Sequence, residues 1–215
     1  MAAIISGKLV KFGASQNAKG GTELLAERLL KGTKKDLLKN TNIIFNRPEL
    51  YKQYFASGIN ILNFQDLPDD RMYTNFFRSK MINKFSHFVF NSDYQKEEFC
   101  NKFDFNGRNI SVIKNSINPI EMKQKKYDGK VNLIYHTTPH RGLELLAHCF
   151  PKILAENDKV HLKVFSSLKI YGWDDKDKVF EPLYKKLKDM ENVEYNSNVS
   201  NEEIRAELIN THIFA

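Results

Sequence analysis

The chain has 215 residues, 41% of them hydrophobic and 12% aromatic, enough to build one large or two small cores. No run approaches the roughly 18 consecutive apolar residues that a membrane-spanning helix needs. The start, MAAIISGKLVKFG, has too short an apolar stretch and no basic opening for a secretory leader, so a cytoplasmic protein is expected. Residues 1–118 hold 18 Lys+Arg against 11 Asp+Glu, whereas residues 119–215 hold 15 of each. A basic half suits nucleic acid, an anionic membrane surface or phosphorylated substrates. The cations are scattered rather than blocked, and an ordinary soluble surface accounts for them as well. Cys100 and Cys149 fall in helix-like stretches and read as small hydrophobes in a reducing compartment, not as a disulfide framework.

From residue 8 onward, β-rich runs alternate with helical ones. KLVKF predicts a first strand. NAKGGTELLAERLL then places Gly20 and Gly21 at the entrance of a helix over 22–38, with Leu24, Leu25, Leu29, Leu30 and Leu37 on one face. NIIFN and INILNFQ predict strands, with a short helix from Pro48 between them. PDDRMYTNFFRSKMINKF predicts one longer amphipathic helix. HFVFNS predicts a strand, SDYQKEEFCNKF a helix capped by Ser92 or Asp93, and ISVIKNSI another strand. NPIEMKQKKYDGK has Pro, Gly and several lysines without an apolar period, and reads as a linker. The alternation then restarts. VNLIYHT, VHLKVFSS, VEYNS and THIFA predict strands. RGLELLAHCFPKILAEN, DKVFEPLYKKLKDM and a Ser200-capped NEEIRAELIN predict the helices between them.

This alternation predicts an α/β chain with parallel sheets covered on both faces. The restart predicts two such domains, 1–118 and 131–215, joined by a linker over 119–130. Ligands of open α/β sheets sit at the carboxyl ends of the strands, so the expected site is a cleft between the domains. THIFA leaves the second domain with about four strands, which suggests a fragment of a longer protein.

Several stretches, in order, resemble one family. YHTTPHRGLELLAHCFPKI is similar to the opening strand, turn and helix of the second domain in retaining GT-B glycosyltransferases of family 4. NSDYQKEEFCNKFDFNGRNISVIKNSIN resembles that family's exit from the first domain, KGGTELLAERLL its glycine-rich loop, and INILNFQDLPDD a first-domain strand whose end carries a polar pair. The resemblance covers roughly 8–215. It implies two Rossmann-like domains, the second incomplete, and a nucleotide-diphosphate sugar as donor. It further implies transfer with retention and no obligatory metal or other cofactor.

The resemblance also assigns residues, each beside a plainer reading. Gly20, Gly21 and Thr22 match the donor-phosphate loop; otherwise they are a flexible turn, with Glu23 favouring the helix start. Arg141 matches the basic residue that clamps the diphosphate and stabilises the leaving group; otherwise it is a surface arginine. Thr137 and Thr138 either donate to phosphate or shape the turn. Gln65 and Asp66 fall where the family often has a histidine; Gln65 can bond a sugar hydroxyl, and Asp66 can act in catalysis or cap a helix with Asp69 and Asp70. Asn91, Ser92 and Asn115 are expected on the acceptor side or in cap chemistry. Ser166 and Ser167, with Tyr171-Gly172 beyond, resemble a wall near the donor nucleotide. Trp173 reads as a sugar-stacking or partly buried ring. His136 and His140 flank Pro139 in a strand-to-helix turn, so no metal site is expected there.

The family's second domain carries two glutamates seven residues apart, which would follow THIFA and are absent from the sequence. The expected function is a hexosyltransferase, inactive or weak as this polypeptide, acting on a glycan or lipid-linked acceptor, including one at the inner membrane surface. The rivals are a nucleic-acid binder using the basic half, against which there is no Lys/Arg stripe interleaved with aromatics, and a sugar-nucleotide-binding or epimerising module of the same fold. Nucleic acid is not an expected partner.

Overall fold

A computed structural model describes residues 1–12, 20–117, 119–120, 124, 129–197 and 199–215. Parts of the glycine-rich stretch and most of the expected linker therefore lie outside the described residues. The chain divides into two compact units, Met1–Ile117 and Asn118–Ala215.

The first unit holds strands β1 (Ala2–Ile5), β2 (Lys8–Lys11), β3 (Thr41–Phe45), β4 (Ile59–Asn63), β5 (His87–Phe90) and β6 (Ile110–Val112) in one sheet, ordered β2-β1-β3-β4-β5-β6. Strands β3 to β6 pair in parallel, as the alternating pattern predicts. The amino edge departs from it: β1 runs antiparallel to both β2 and β3. The run AAII forms β1 without the alternating pattern that marks a strand in sequence. It is buried on both sides, so it lacks the alternation of a half-exposed strand.

Helices cover both faces. Helices α1 (Gly21–Gly32) and α2 (Lys35–Leu38) bring Ala26 and Leu38 against Ala2, Ile4 and Phe45. On the other face, α3 (Arg71–Arg78) and α4 (Asp93–Lys102) pack Tyr73, Phe76 and Phe99 on Ile44, Leu62, Phe88 and Phe90. Phe64, fully buried just past β4, is the centre of that layer. Its ring lies 4.3 Å from Phe99, 4.9 Å from Phe90 and 5.4 Å from Tyr73. Such ring pairs add attraction beyond their buried area.

Two expected helices are interrupted. The stretch 22–38 breaks at Thr33, which is extended, and Leu37 is 68% exposed instead of lying on the apolar face. The stretch after Pro68 breaks at Ser79, whose hydroxyl donates to the Phe76 carbonyl and accepts from the Met81 N–H. A serine that bonds its own neighbourhood offers the backbone an alternative to helix, and here it closes one helix and opens a 3-10 turn. Asp70, not Asp66, caps α3 by accepting from the Met72 N–H. Ser92 caps α4.

Polar strand residues have their own logic. Asn42 and Asn60 are register partners, both buried, and the Asn42 amide donates to Asn60 at 2.9 Å and to the carbonyls of Tyr54 and Ser57. Gly58, entering β4, has φ +83°, and a Cβ there would meet the Asn40 carbonyl oxygen at 2.5 Å.

The second unit holds β7 (Val131–Tyr135), β8 (Val160–Phe165), β9 (Val193–Asn196) and β10 (Ile213–Phe214), all parallel, in the order β10-β7-β8-β9. Helices α5 (Leu143–Glu156), α6 (Asp174–Asp177), α7 (Glu181–Lys188) and α8 (Asn201–Asn210) connect them. Helix α5 continues through Pro151 and buries Leu143, Ala147 and Phe150 against Leu133, Leu162 and Val164. Helix α8 opens on a capping box: the Ser200 hydroxyl accepts from the Glu203 N–H, and the Glu203 carboxylate accepts from the Ser200 N–H. The chain leaves β7 toward β8 and β9, then returns to the other side of β7 as β10. No described helix is long and apolar enough to cross a membrane.

Replacing Phe64 by Ala is expected to destabilise the first unit by about 3–5 kcal/mol, and Gly58→Ala to destabilise it by more than about 1 kcal/mol. Urea unfolding followed by circular dichroism measures both.

Candidate functional site

In the first unit, the residues just past β3, β4, β5 and β6 gather at one edge of the sheet. Asn46 organises them. It is 5% exposed and sits at φ +55°. Its amide donates to Asp66 Oδ2 at 2.6 Å, and its Oδ1 accepts from the Gln65 N–H at 2.6 Å and the Tyr73 hydroxyl at 2.7 Å. Gln65 in turn bonds Asn63 through its amide and accepts from Asn115 at 2.8 Å. Gln95 links Asp66 to one further expected residue: its amide donates to the Asp66 carbonyl at 2.9 Å, and its Oε1 accepts from the Asn91 N–H at 2.7 Å. Gln65, Asp66, Asn91 and Asn115 thus share one hydrogen-bonded surface. Asp66 itself is solvent-exposed.

The segment after Asn46 is strained. Arg47 has φ +26°, and a non-glycine residue in such a region costs on the order of 1–3 kcal/mol. Its guanidinium is tied to Asp70 at 2.9 Å, while its Nε is buried without a partner. Glu49 Oε2 is likewise buried and unpartnered. Burial raises the Glu49 pKa, against the opposing pull of its backbone hydrogen bond and of Arg47. Burial raises the Tyr73 pKa as well, reinforced by the negative charge of Asp66.

Gly20 and Gly21 open α1. Gly20 is the N-cap with φ −71°, so neither the left-handed region nor a side-chain cap is used. A Cβ on Gly21 would meet nothing within 4 Å. The Thr22 hydroxyl donates to Glu23 at 3.3 Å, and buried Glu23 pairs with the Met1 amino group at 2.7 Å.

In the second unit, the turn from β7 to α5 holds Thr137, Thr138, His140 and Arg141. Two hydrogen bonds to one carbonyl fix it. The Tyr135 hydroxyl donates to the Thr138 carbonyl at 3.0 Å, and the Arg141 N–H donates to that same carbonyl at 3.1 Å. Burial raises the Tyr135 pKa, and the Arg141 charge opposes the rise. Gly142 follows at φ +98°, a conformation that admits glycine without strain, and turns the chain into α5. The Arg141 side chain is exposed, and among the described residues nothing takes its guanidinium in a hydrogen bond or ion pair. Thr138 is 6% exposed, and its hydroxyl is buried without a partner. Ser166, at the end of β8, donates its hydroxyl to the Thr137 carbonyl at 2.7 Å. Its hydroxyl therefore ties the β7 and β8 loops together. The His136 ring packs edge-on against Phe214 at 4.5 Å, and His140 is exposed.

This arrangement can receive an anion. A helix N-terminus carries partial positive charge. Arg141 adds a full charge with a planar fork for two oxygens. The site lies at the carboxyl end of β7, where the strand order reverses, the place where open α/β sheets bind ligands.

The fold and this edge define an α/β protein built of Rossmann-like units with strand-end sites. Solved structures narrow the class. The chain is similar to TarM (TM-score 0.55, 15% identity, 96% of this chain and 40% of that one). It is similar to a point mutant of S. aureus TarM in complex with fondaparinux, alpha-GlcNAc-glycerol and UDP (0.54, 16%, 92% and 40%). It is also similar to the pneumococcal O-GlcNAc transferase GtfA in complex with UDP and GlcNAc (0.51, 11%, 80% and 36%). These are GT-B glycosyltransferases, and the mixed α/β fold with parallel sheets is theirs. The chain spans about two fifths of the length of the solved chains it matches. No protein-family model and no curated protein matches the sequence.

Sequence reasoning missed Asn46, Arg47 and Gln95. The signal for Asn46 was present in FNRP: asparagine tolerates positive φ, and a following X-Pro pair marks the end of a strand.

Asn46→Ala strips three bonds and leaves alanine in the left-handed region, with an expected cost of about 2–4 kcal/mol in chemical denaturation. Glu49 gives a pH signature. Its folded pKa lies above the unfolded value, so its contribution is full below the unfolded value and is lost as pH rises through the folded one. Gln cannot ionise, so the Tm of Glu49→Gln is expected to gain on the parent as pH rises above the ordinary carboxylate value of 4.5.

Proposed function

We propose that the protein containing this chain is a glycosyltransferase that moves a hexose-type sugar from a nucleotide-diphosphate donor to a hydroxyl of a glycan or lipid-linked acceptor, with retention of configuration. The observation that carries the reading is the turn at the β7 carboxyl end, which holds an exposed Arg141 guanidinium with no partner among the described residues and the unpartnered Thr138 hydroxyl, just before α5. A departing nucleoside diphosphate develops negative charge as the glycosidic bond breaks. Preorganised donors aimed at that charge lower the barrier without rearranging. Arg141 and the α5 N-terminus take the phosphate oxygens, with Thr138 and Thr137 as hydroxyl donors. Ser166 holds the two loops in register and acts by positioning rather than by contact. No metal is required for charge neutralisation in this scheme.

In the first unit, the Asp66–Gln65–Asn115 surface offers acceptors and donors suited to sugar hydroxyls. Asn46 holds one carboxylate oxygen of Asp66, and the side chain is exposed. Gly21 is exposed at the start of α1, whereas Gly20 is buried and the Thr22 hydroxyl donates to Glu23. UDP is the first donor fragment to test, because two of the similar structures hold it.

Isothermal titration of the chain with UDP and UDP-GlcNAc is expected to give saturable binding. Arg141→Ala is expected to weaken it about 10- to 100-fold, the worth of one hydrogen bond to a charged group, with unchanged Tm. No binding of UDP or of any other nucleoside diphosphate would sink the reading. Retention is read from the anomeric proton coupling of the transferred sugar in the product.

A further inference from the structure

The amino ends of the first sheet carry a surface that the strand-end site does not use. Thr33 ends α1, and the chain turns through α2 before it enters β3. The Thr41 hydroxyl, at the start of β3, donates to the Leu37 carbonyl at 2.9 Å. Thr41 is the register partner of Ile59, the first residue of β4, whose N–H donates to the Asn40 carbonyl at 2.7 Å. The Ser6 N–H donates to the Thr41 carbonyl at 3.1 Å, which brings the Ser6-Gly7-Lys8 turn to the same end. The Asn60 amide donates to the Lys84 carbonyl at 2.8 Å and adds that residue. Asn46 and Gln65 lie past the opposite ends of β3 and β4.

Two large apolar side chains are left in solvent on this face. Leu37 is 68% exposed and Ile59 53%, whereas Leu38 is buried and holds α2 to the core. Lysines accompany them: Lys8, Lys31, Lys34, Lys35, Lys39 and Lys84 are all exposed. The run 31–40 holds four lysines against one carboxylate, Asp36, which pairs with Lys39 at 2.7 Å. Single exposed apolar residues are ordinary. An aliphatic pair among lysines has instead the composition of an element that lies on an anionic bilayer. Aliphatic tips enter the boundary between headgroups and acyl chains, while ammonium groups stay with the anionic headgroups. Nucleic acid would use the lysines but not the aliphatic pair. Stacking on bases calls for aromatic rings, and the run 31–40 has none.

We propose that this face docks on an anionic lipid surface, with Leu37 and Ile59 inserted and the lysines on the headgroups. Docking of this kind is independent of the donor reading. A vesicle assay contains no sugar nucleotide, so either can fail alone.

The full chain is sedimented with vesicles of phosphatidylcholine, and with vesicles of an equal mixture of phosphatidylcholine and phosphatidylglycerol. The expected result is binding to the mixed vesicles only, weakened by high salt. Lys34→Gln combined with Lys35→Gln should weaken it about 10- to 30-fold, and Leu37→Ser about ten-fold. Tm should not move in either, because these side chains are exposed. Lys185→Gln combined with Lys186→Gln makes the same charge change on exposed positions of α7 and should leave binding as it was. Absence of binding to the mixed vesicles overturns the proposal. An equal loss in the α7 pair overturns it too, since the attraction is then diffuse charge. Indifference to Leu37→Ser also overturns it, and tight binding of a DNA duplex would then assign the face to nucleic acid.

Discussion

Parallel pairing is the constraint from which both units follow. Strands β3 to β6, and β7 with its neighbours, are hydrogen-bonded in one direction. All their carboxyl ends therefore emerge on one side of each sheet. Every return needs a crossover, and each crossover begins with a turn on that side. Polar residues that end a strand are thus collected along a single edge without further design. In the second unit the return of β10 to the far side of β7 parts the crossovers above β7.

The polar groups at these edges fall into two kinds. Asn46 and Asp177 are buried and have their bonding capacity largely filled from within the protein. A buried polar group in a filled network specifies geometry, and losing a partner strands the rest. Arg141 and the Thr138 hydroxyl are the opposite: among the described residues, one is exposed and unpaired, the other buried and unpartnered. Ser166 looks like a ligand contact in sequence, yet its hydroxyl is spent on Thr137. Its role is to join two loops.

Stability and chemistry are kept on different elements. The aromatic layer around Phe64 lies beneath the first sheet edge, where α3 and α4 meet the strands. The strained Asn46–Arg47 turn is held from below by that layer through Tyr73 and from the side by the Arg47–Asp70 pair. Strain of this kind persists only where surrounding contacts over-determine the chain.

The sequence by itself determined most of the element order, because the helix and strand periods are local and the caps at Ser92 and Ser200 are chemical signals confined to a few residues. It also determined the Arg-Gly entrance to α5, since only glycine takes φ +98° without strain. What lay beyond it was long-range. The buried AAII strand carries no alternation, Ser79 breaks a helix that amphipathicity alone would continue, and Leu37 keeps a helical spacing yet faces solvent. The bonds that join Asn46 to Asp66 and Ser167 to Asp177 span 20 and 10 residues. Tertiary structure alone decides such partners, because a side chain's hydrogen-bonding capacity is written in its residue type, while the group that uses it is set by where the chain returns.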